Sequence, residues 1–154
     1  MLVFAGEGPL RSQLELEAKK LGLASRVRFL GFVNQSQLPT VYTPAHIFVI
    51  PSVYDHCPVV VCEAMLYGLP VVLSDQIRGR FELVRPGETG DIFPSGDINA
   101  LAASIRKLSS GAVALAEMKL NALRRMATWS PQENGAATVE AIRIAKFGKA
   151  AGKR

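Results

Sequence analysis

Histidine and cysteine are scarce in this chain, two of each among 154 residues. His46 and His56 are too few for a histidine-built metal centre, and Cys57 and Cys62 stand at a spacing that matches no zinc pattern. Two cysteines make no disulfide framework, so both read as reduced thiols of a cytoplasmic protein, with Cys62 as apolar filler. No apolar run reaches the ~18 to 20 residues of a membrane span. The N-terminal MLVFAGEGP lacks the basic region of a signal peptide. Membrane contact is therefore peripheral at most, at the inner face. Aromatic residues make up 7%, and Phe32, Tyr42, Tyr54 and Phe81 are scattered rather than interleaved with basic residues. That excludes the stacking platform of a nucleic-acid binder. No Walker A sequence occurs, which argues against simple NTPase chemistry. There is no internal repeat and no low-complexity linker.

What is present reads as one globular domain with a real core, 49% hydrophobic and 20% charged. The net charge of +5 is misleading, because Arg143, Lys146, Lys149, Lys153 and Arg154 crowd the last twelve residues. Without them, 13 basic residues face 13 acidic ones. Residues 148–154 read as a basic, disordered tail, and residues 1–147 as the folded domain.

Strand and helix signals alternate. LVFAG is a short apolar run ending in Gly6-Glu7-Gly8, and Pro9 opens a helix with Leu10, Leu14 and Leu21 on one face, closed by Gly22. Arg26 to Leu30 alternates as a strand. Asn34 can cap a short helix to Tyr42, although Pro39 weakens it. His46 stands where a strand opens. IFVI, residues 47–50, predicts a strand buried on both faces, and Val71 to Leu73 another. Residues 75–90 read as loop-rich, with a short strand at Asp91 to Phe93. Asp97 caps a helix carrying Ile98, Leu101, Ile105 and Leu108. A further helix is expected over Val113 to Met126. Ser130, Pro131 and Glu133 form a capping box for a last helix to Phe147. This order predicts an α/β fold, a Rossmann-like parallel sheet covered by helices on both faces, with ligands beyond the carboxyl ends of its strands.

The most informative stretch is PSVYDHCPVVVCEAMLYGLPVVLSD, residues 51–75. Pro58 suits the first turn of a helix and Gly68 its end. The residues between are apolar on nearly every side, which predicts a buried helix with Glu63 as its single charge. Asp55 precedes the helix N-terminus, where backbone N–H groups favour an anion such as a diphosphate. Glu63 could accept hydrogen bonds from two neighbouring ribose hydroxyls. Asp55 as a turn residue and Glu63 as the partner of an arginine is the plainer alternative. His56 adjoins Asp55 and is either a ligand contact or solvated. Ser74 and Asp75 could meet ligand hydroxyls or simply build a turn. Arg78, Arg80 and Arg85 could bind anions. Gly6 and Gly8 resemble a dinucleotide fingerprint, but Arg11 stands where its third glycine belongs.

These residues resemble the family 4 retaining glycosyltransferases, also called glycosyl transferases group 1. In that family two acids flank seven residues ahead of an EAM-x-x-G-x-PVV segment. Here the acids are Asp55 and Glu63, and EAMLYGLPVV follows the pattern closely. GEGP with RSQLELEAKKLGL, VRFLGFV, FELVRPGETGDIFPSGDINALAASI and TWSPQENGAATVEAI continue the resemblance over residues 2–147. It implies the donor-binding, C-terminal half of a GT-B fold. It also implies a nucleotide-diphospho-sugar as co-substrate, with no metal. Glu63 would then meet the donor ribose and Asp55 the donor sugar. The backbone of His56, Cys57 and Pro58 would lie near the sugar and diphosphate, and Phe32 and Val33 near the base. Two departures bear on sugar specificity. Asp55 replaces the usual glutamate, and Cys57 and Pro58 stand where phenylalanine and glycine are common.

The resemblance starts at the family's second donor-domain strand. The preceding strand, with the arginine and lysine that grip the diphosphate, has no counterpart in these 154 residues, nor does an acceptor domain on the order of 150 residues. The chain is accordingly expected to need that N-terminal domain, or a partner subunit supplying it, and to self-associate along an uncovered sheet edge or by exchange of its last helix. The rival expectations are a non-catalytic Rossmann-like interaction module and an unrelated dinucleotide-binding domain. The missing third glycine counts against the latter.

Overall fold

The structure is a computed structural model and describes residues 1–56, 58–129 and 131–147. Cys57, Ser130 of the expected capping box and the expected tail 148–154 lie outside the described residues. The chain forms two compact units, Met1–Pro44 and Ala45 onward. The expected domain over residues 1–147 runs through both.

In the first unit, β1 (Leu2–Ala5), α1 (Arg11–Lys20), β2 (Val27–Gly31) and α2 (Leu38–Tyr42) follow in order. β1 and β2 pair in parallel, Leu2 beside Val27 and Phe4 beside Phe29, with a shift that brings Ala5 opposite Gly31. The rings of Phe4 and Phe29 stack at 4.9 Å. Gly22 ends α1 in the left-handed region, φ 68°. Its N–H reaches Lys19 O at 3.0 Å and the Leu23 N–H reaches Ala18 O at 2.8 Å. That is the paired-carbonyl stop glycine permits. The apolar face expected of this helix is not covered: α1 buries no residue, and Leu10, Leu14 and Leu21 are exposed. Asn34 accepts the Gln37 N–H at 3.1 Å, so it caps the turn ahead of α2. The helix starts at Leu38 with Pro39 in its first turn, where a missing N–H is harmless.

The second unit contains β3 (Phe48–Ile50), α3 (Val59–Leu66), β4 (Val71–Ser74), α4 (Arg80–Leu83), β5 (Gly90–Phe93), α5 (Ile98–Ser109), α6 (Ala112–Met126) and α7 (Pro131–Phe147). Its parallel sheet runs β3-β4-β5, separate in hydrogen bonding from β1-β2, so the one sheet expected is two. β4 is central and buried at all four positions. Its side chains alternate. Val71 and Leu73 join Val61, Met65, Ala122 and Met126 on one face, while Val72 joins Phe93 and Leu108 on the other. Helices α3 and α6 thus cover one face and α5 the other. Asp97 caps α5 as expected, accepting the Ala100 N–H at 2.9 Å.

Three further expectations need correction. β3 was expected to be buried on both faces but lies at the sheet edge, half-buried throughout. A continuous apolar run marks a buried strand without saying which strand is central. α3 is not buried all round. Val61, Ala64 and Met65 are buried, whereas Val59 is 67% and Leu66 61% exposed. A uniformly apolar helix carries no sign of which side its neighbours will take. Pro58 stands just outside α3 with extended backbone, ψ 111°, and Val59 is the first helical residue. The segment 75–90 contains α4, a four-residue helix entered through left-handed Gly79 and too short to show a period. The expected stop at Gly68 holds, φ 73°, with its N–H on Met65 O at 2.9 Å and the Leu69 N–H on Ala64 O at 3.1 Å.

Gly90 sets the β4–β5 approach. A Cβ there would sit 1.9 Å from the Val71 carbonyl oxygen, which is backbone and cannot swing aside. Gly90→Ala is expected to destabilise the chain by about 3 kcal/mol, because overpacking forces the strands apart. Urea unfolding measures it, and an unchanged midpoint would contradict this pairing.

Candidate functional site

The carboxyl ends of β3, β4 and β5 are tied together by main-chain and short side-chain bonds. Asp55, on the loop after β3, pairs as a parallel bridge with Ile77 on the loop after β4. The Arg78 N–H donates to Asp55 O at 2.8 Å. The Ser74 hydroxyl donates to Ser52 O at 2.6 Å and accepts the Gln76 N–H at 3.1 Å. Asp75 accepts the Ser95 N–H at 2.9 Å and the Gln76 side-chain amide at 3.0 Å, while its own N–H reaches Phe93 O at 2.9 Å. Ser74 and Asp75 thus build the turns at the strand ends. The Ser95 N–H, then the Gln76 amide and the charge of Arg80, hold the Asp75 carboxyl below its ordinary value of 3.8.

Asp55 is half-buried just ahead of α3, and Glu63 is half-buried within it. Glu63 is therefore not the fully buried charge expected, and its burial costs correspondingly less. Exposed His56 is held by its neighbour: its Nε2 lies 2.6 Å from the Tyr54 hydroxyl, the rings edge-on at 5.0 Å. Pro58 is buried and contributes no N–H, but its carbonyl accepts the Val61 N–H at 3.0 Å. The N–H groups of Val59 and Val60 then belong to the first turn of α3, where an anion is favoured. Among the arginines, Arg80 donates to Ile77 O at 3.2 Å and stacks over Phe81 at 4.8 Å, and Arg85 lies 3.4 Å from Glu88. From sequence, the loop 75–79 was a candidate only through the side chains of Asp75 and Arg78, yet its backbone positions Asp55. Gly79 was the available signal, since its φ of 69° is what turns that loop into α4.

In the first unit, the glycine turn is self-contained. Gly6 adopts φ 125° and donates its N–H to Gly31 O at 2.8 Å. Gly31, at φ 72°, leaves room for Glu7, whose Oε1 a Cβ would meet at 2.6 Å. Gly8 has open space around it and accepts the Arg11 N–H at 3.1 Å. Arg11 bonds Glu7 at 2.8 Å and Glu15 at 2.9 Å, and these carboxylates, Glu15 foremost, raise its pKa. A cavity of about 300 Å³ lies beside the turn, lined by Phe4, Gly6, Leu10, Arg11 and Phe29. Beyond β2, Phe32 is 78% exposed and Val33 half-buried.

Residues 1–125 match the family model described as glycosyl transferases group 1. The chain belongs to that family. It is 44% identical over 84 residues to an uncharacterized glycosyltransferase of Methanocaldococcus jannaschii, covering 54% of this chain and 21% of that protein. The amylovoran biosynthesis glycosyltransferase AmsK of Erwinia amylovora is 33% identical over 129 residues, 80% of this chain and 31% of that one. Among solved structures, sucrose-phosphate synthase from Thermosynechococcus elongatus superposes with a TM-score of 0.77 at 28% identity, over 96% of this chain and 39% of its own. Anabaena HepE in complex with UDP and glucose gives 0.75 at 26%, over 90% and 40%. The group 1 chain thus has the Rossmann-like α/β fold of GT-B glycosyltransferases and spans between a fifth and two fifths of these proteins.

The lowered pKa of Asp75 has a definite sign. Its stabilising effect is complete above the unfolded value near 3.8 and is lost as pH falls through the lower folded value. Asp75→Asn is expected to be less stable than the parent near neutral pH, with the gap closing in acid. Urea unfolding across that pH range checks it; a gap that stays constant would contradict it.

Proposed function

We propose that this group 1 chain is the donor-binding part of a retaining, family 4 glycosyltransferase. It would hold a nucleotide-diphospho-sugar for transfer of the sugar to an acceptor. The observation that carries this reading is the Asp55–Ile77 pairing, which holds Asp55 at the carboxyl ends of the strands beside the start of α3. In an α/β sheet that is the ligand-binding end. Charge building on the leaving diphosphate meets the first-turn N–H groups of α3, and this offsets it without a metal. Asp55 meets the sugar hydroxyls, and Glu63, one turn into the helix, takes the ribose hydroxyls. His56, Cys57 and Pro58 line the sugar and diphosphate. In the first unit, Gly6 and Gly8 are assigned to donor binding and Phe32 and Val33 to the base. HepE, solved with UDP and glucose, supports this assignment by likeness.

Since the chain spans at most 40% of the proteins it resembles here, transfer is assigned to the larger assembly. The 154-residue chain alone is expected to give no product with any nucleotide sugar, and product formation by the purified chain would overturn that. The competing reading is a non-catalytic interaction module that self-associates. The exposed Val59 and Leu66 on α3 and the exposed Val139, Ile142 and Phe147 on α7 favour it.

Calorimetric titration with UDP and GDP separates the two. Binding should appear with one base preferred. Glu63→Ala should weaken it at least tenfold, as the loss of charge-assisted bonds of ~1.5–3 kcal/mol implies. A folded chain that binds neither nucleotide would favour the interaction module.

A further inference from the structure

At the other end of the β3-β4-β5 sheet lies an open cleft of about 540 Å³ between the loop entering β5 and the last two turns of α6. We propose that this cleft is a second, anionic-ligand site that takes a phosphate-bearing small molecule or headgroup. It is independent of the nucleotide reading above. Val71 pairs with Gly90 where β4 and β5 begin, whereas Asp55 lies beyond their carboxyl ends. The two sites are thus separated by the length of the strands, roughly 13 Å for four residues.

Three arginines line the cleft, Arg85, Arg124 and Arg125, against one lining acid, Glu88. Glu88 lies 3.4 Å from Arg85. The other two arginines are held by neutral groups. Arg124 donates to the Asn121 side-chain oxygen at 3.2 Å. Arg125 donates through Nε to Glu82 O at 3.0 Å and through a second nitrogen to the same oxygen, and lies 5.2 Å over the Trp129 ring. The Glu82 carboxylate is no counter-ion there, for it points toward Gly79. Among the described residues, the partners recorded for these two guanidinium groups are neutral.

The opposite wall is equally fixed. The loop 85–90 is closed by the Glu88 and Thr89 N–H groups on Arg85 O, both at 3.0 Å, and by the Gly87 N–H on Gly90 O at 2.9 Å. The buried Thr89 hydroxyl accepts the Arg85 N–H at 2.9 Å, and Asn121 crosses the cleft to donate to Glu88 O at 3.3 Å. Arginine forks match phosphate oxygens bidentately, and preorganised ones lose less entropy on binding. Thr128 completes the lining.

The test is a chemical-shift titration of the isotope-labelled chain with inorganic phosphate and with glycerol 3-phosphate, at constant ionic strength in chloride. Flotation with vesicles of phosphatidylglycerol in phosphatidylcholine runs in parallel. Saturable shifts confined to residues 85–90 and 121–128 are expected, weakened at least tenfold in Arg85→Gln/Arg124→Gln. Arg124→Gln alone, which gives up a single hydrogen bond, should weaken them severalfold with an unchanged melting curve. Binding to the soluble phosphates identifies a free metabolite. Binding to vesicles only, lost in the same variants, identifies a lipid headgroup. No saturable response to any probe, or a response the variants leave unchanged, overturns the proposal.

Discussion

The second unit depends on the burial of β4. Four consecutive residues without solvent contact, flanked by a parallel strand on each side, fix where both helical layers can sit. Because side chains alternate along a strand, Val71 and Leu73 anchor α3 and α6 while Val72 anchors the α5 side. The parallel directions also bring three strand ends to one edge, where Ser52, Asp55, Ser74, Asp75 and Ser95 come into hydrogen-bonding range. The site at that edge is a consequence of the sheet, assembled from loops that share nothing else.

Much of this was legible in the sequence, for local physical reasons. The alternation of apolar runs with helical periods gave the α/β class. Gly22 and Gly68 marked helix ends because only glycine enters the left-handed region without strain. Asp97 marked a helix start because its carboxylate can take the place of a missing carbonyl partner. Asp55 and Glu63 stood out as carboxylates at the mouth of, and inside, an apolar segment, and the fold places both beside the strand ends or in the helix that starts there.

What was not legible depends on tertiary neighbours. The apolar content of IFVI and of VVVCEAML signals burial but not its extent, so an edge strand and a half-covered helix were read as fully enclosed. The division of the strands into two sheets depends on which edges meet. Ile77 and Arg78 contribute to the site through main-chain groups, and side-chain identity carries little trace of that. The arginine cleft is invisible in sequence for the same reason, since Arg85 and Arg124 are brought together only by the packing of α6 beside the loop entering β5.

Asp55 is held in place by its peptide group. Its carbonyl oxygen receives the Arg78 N–H and its backbone pairs with Ile77. Neither of these two bonds involves the carboxylate. Both bonds are open to any side chain at position 55, because they use only the peptide group. Where main chain sets the address and side chain sets the chemistry, a protein lineage can vary the second without renegotiating the first.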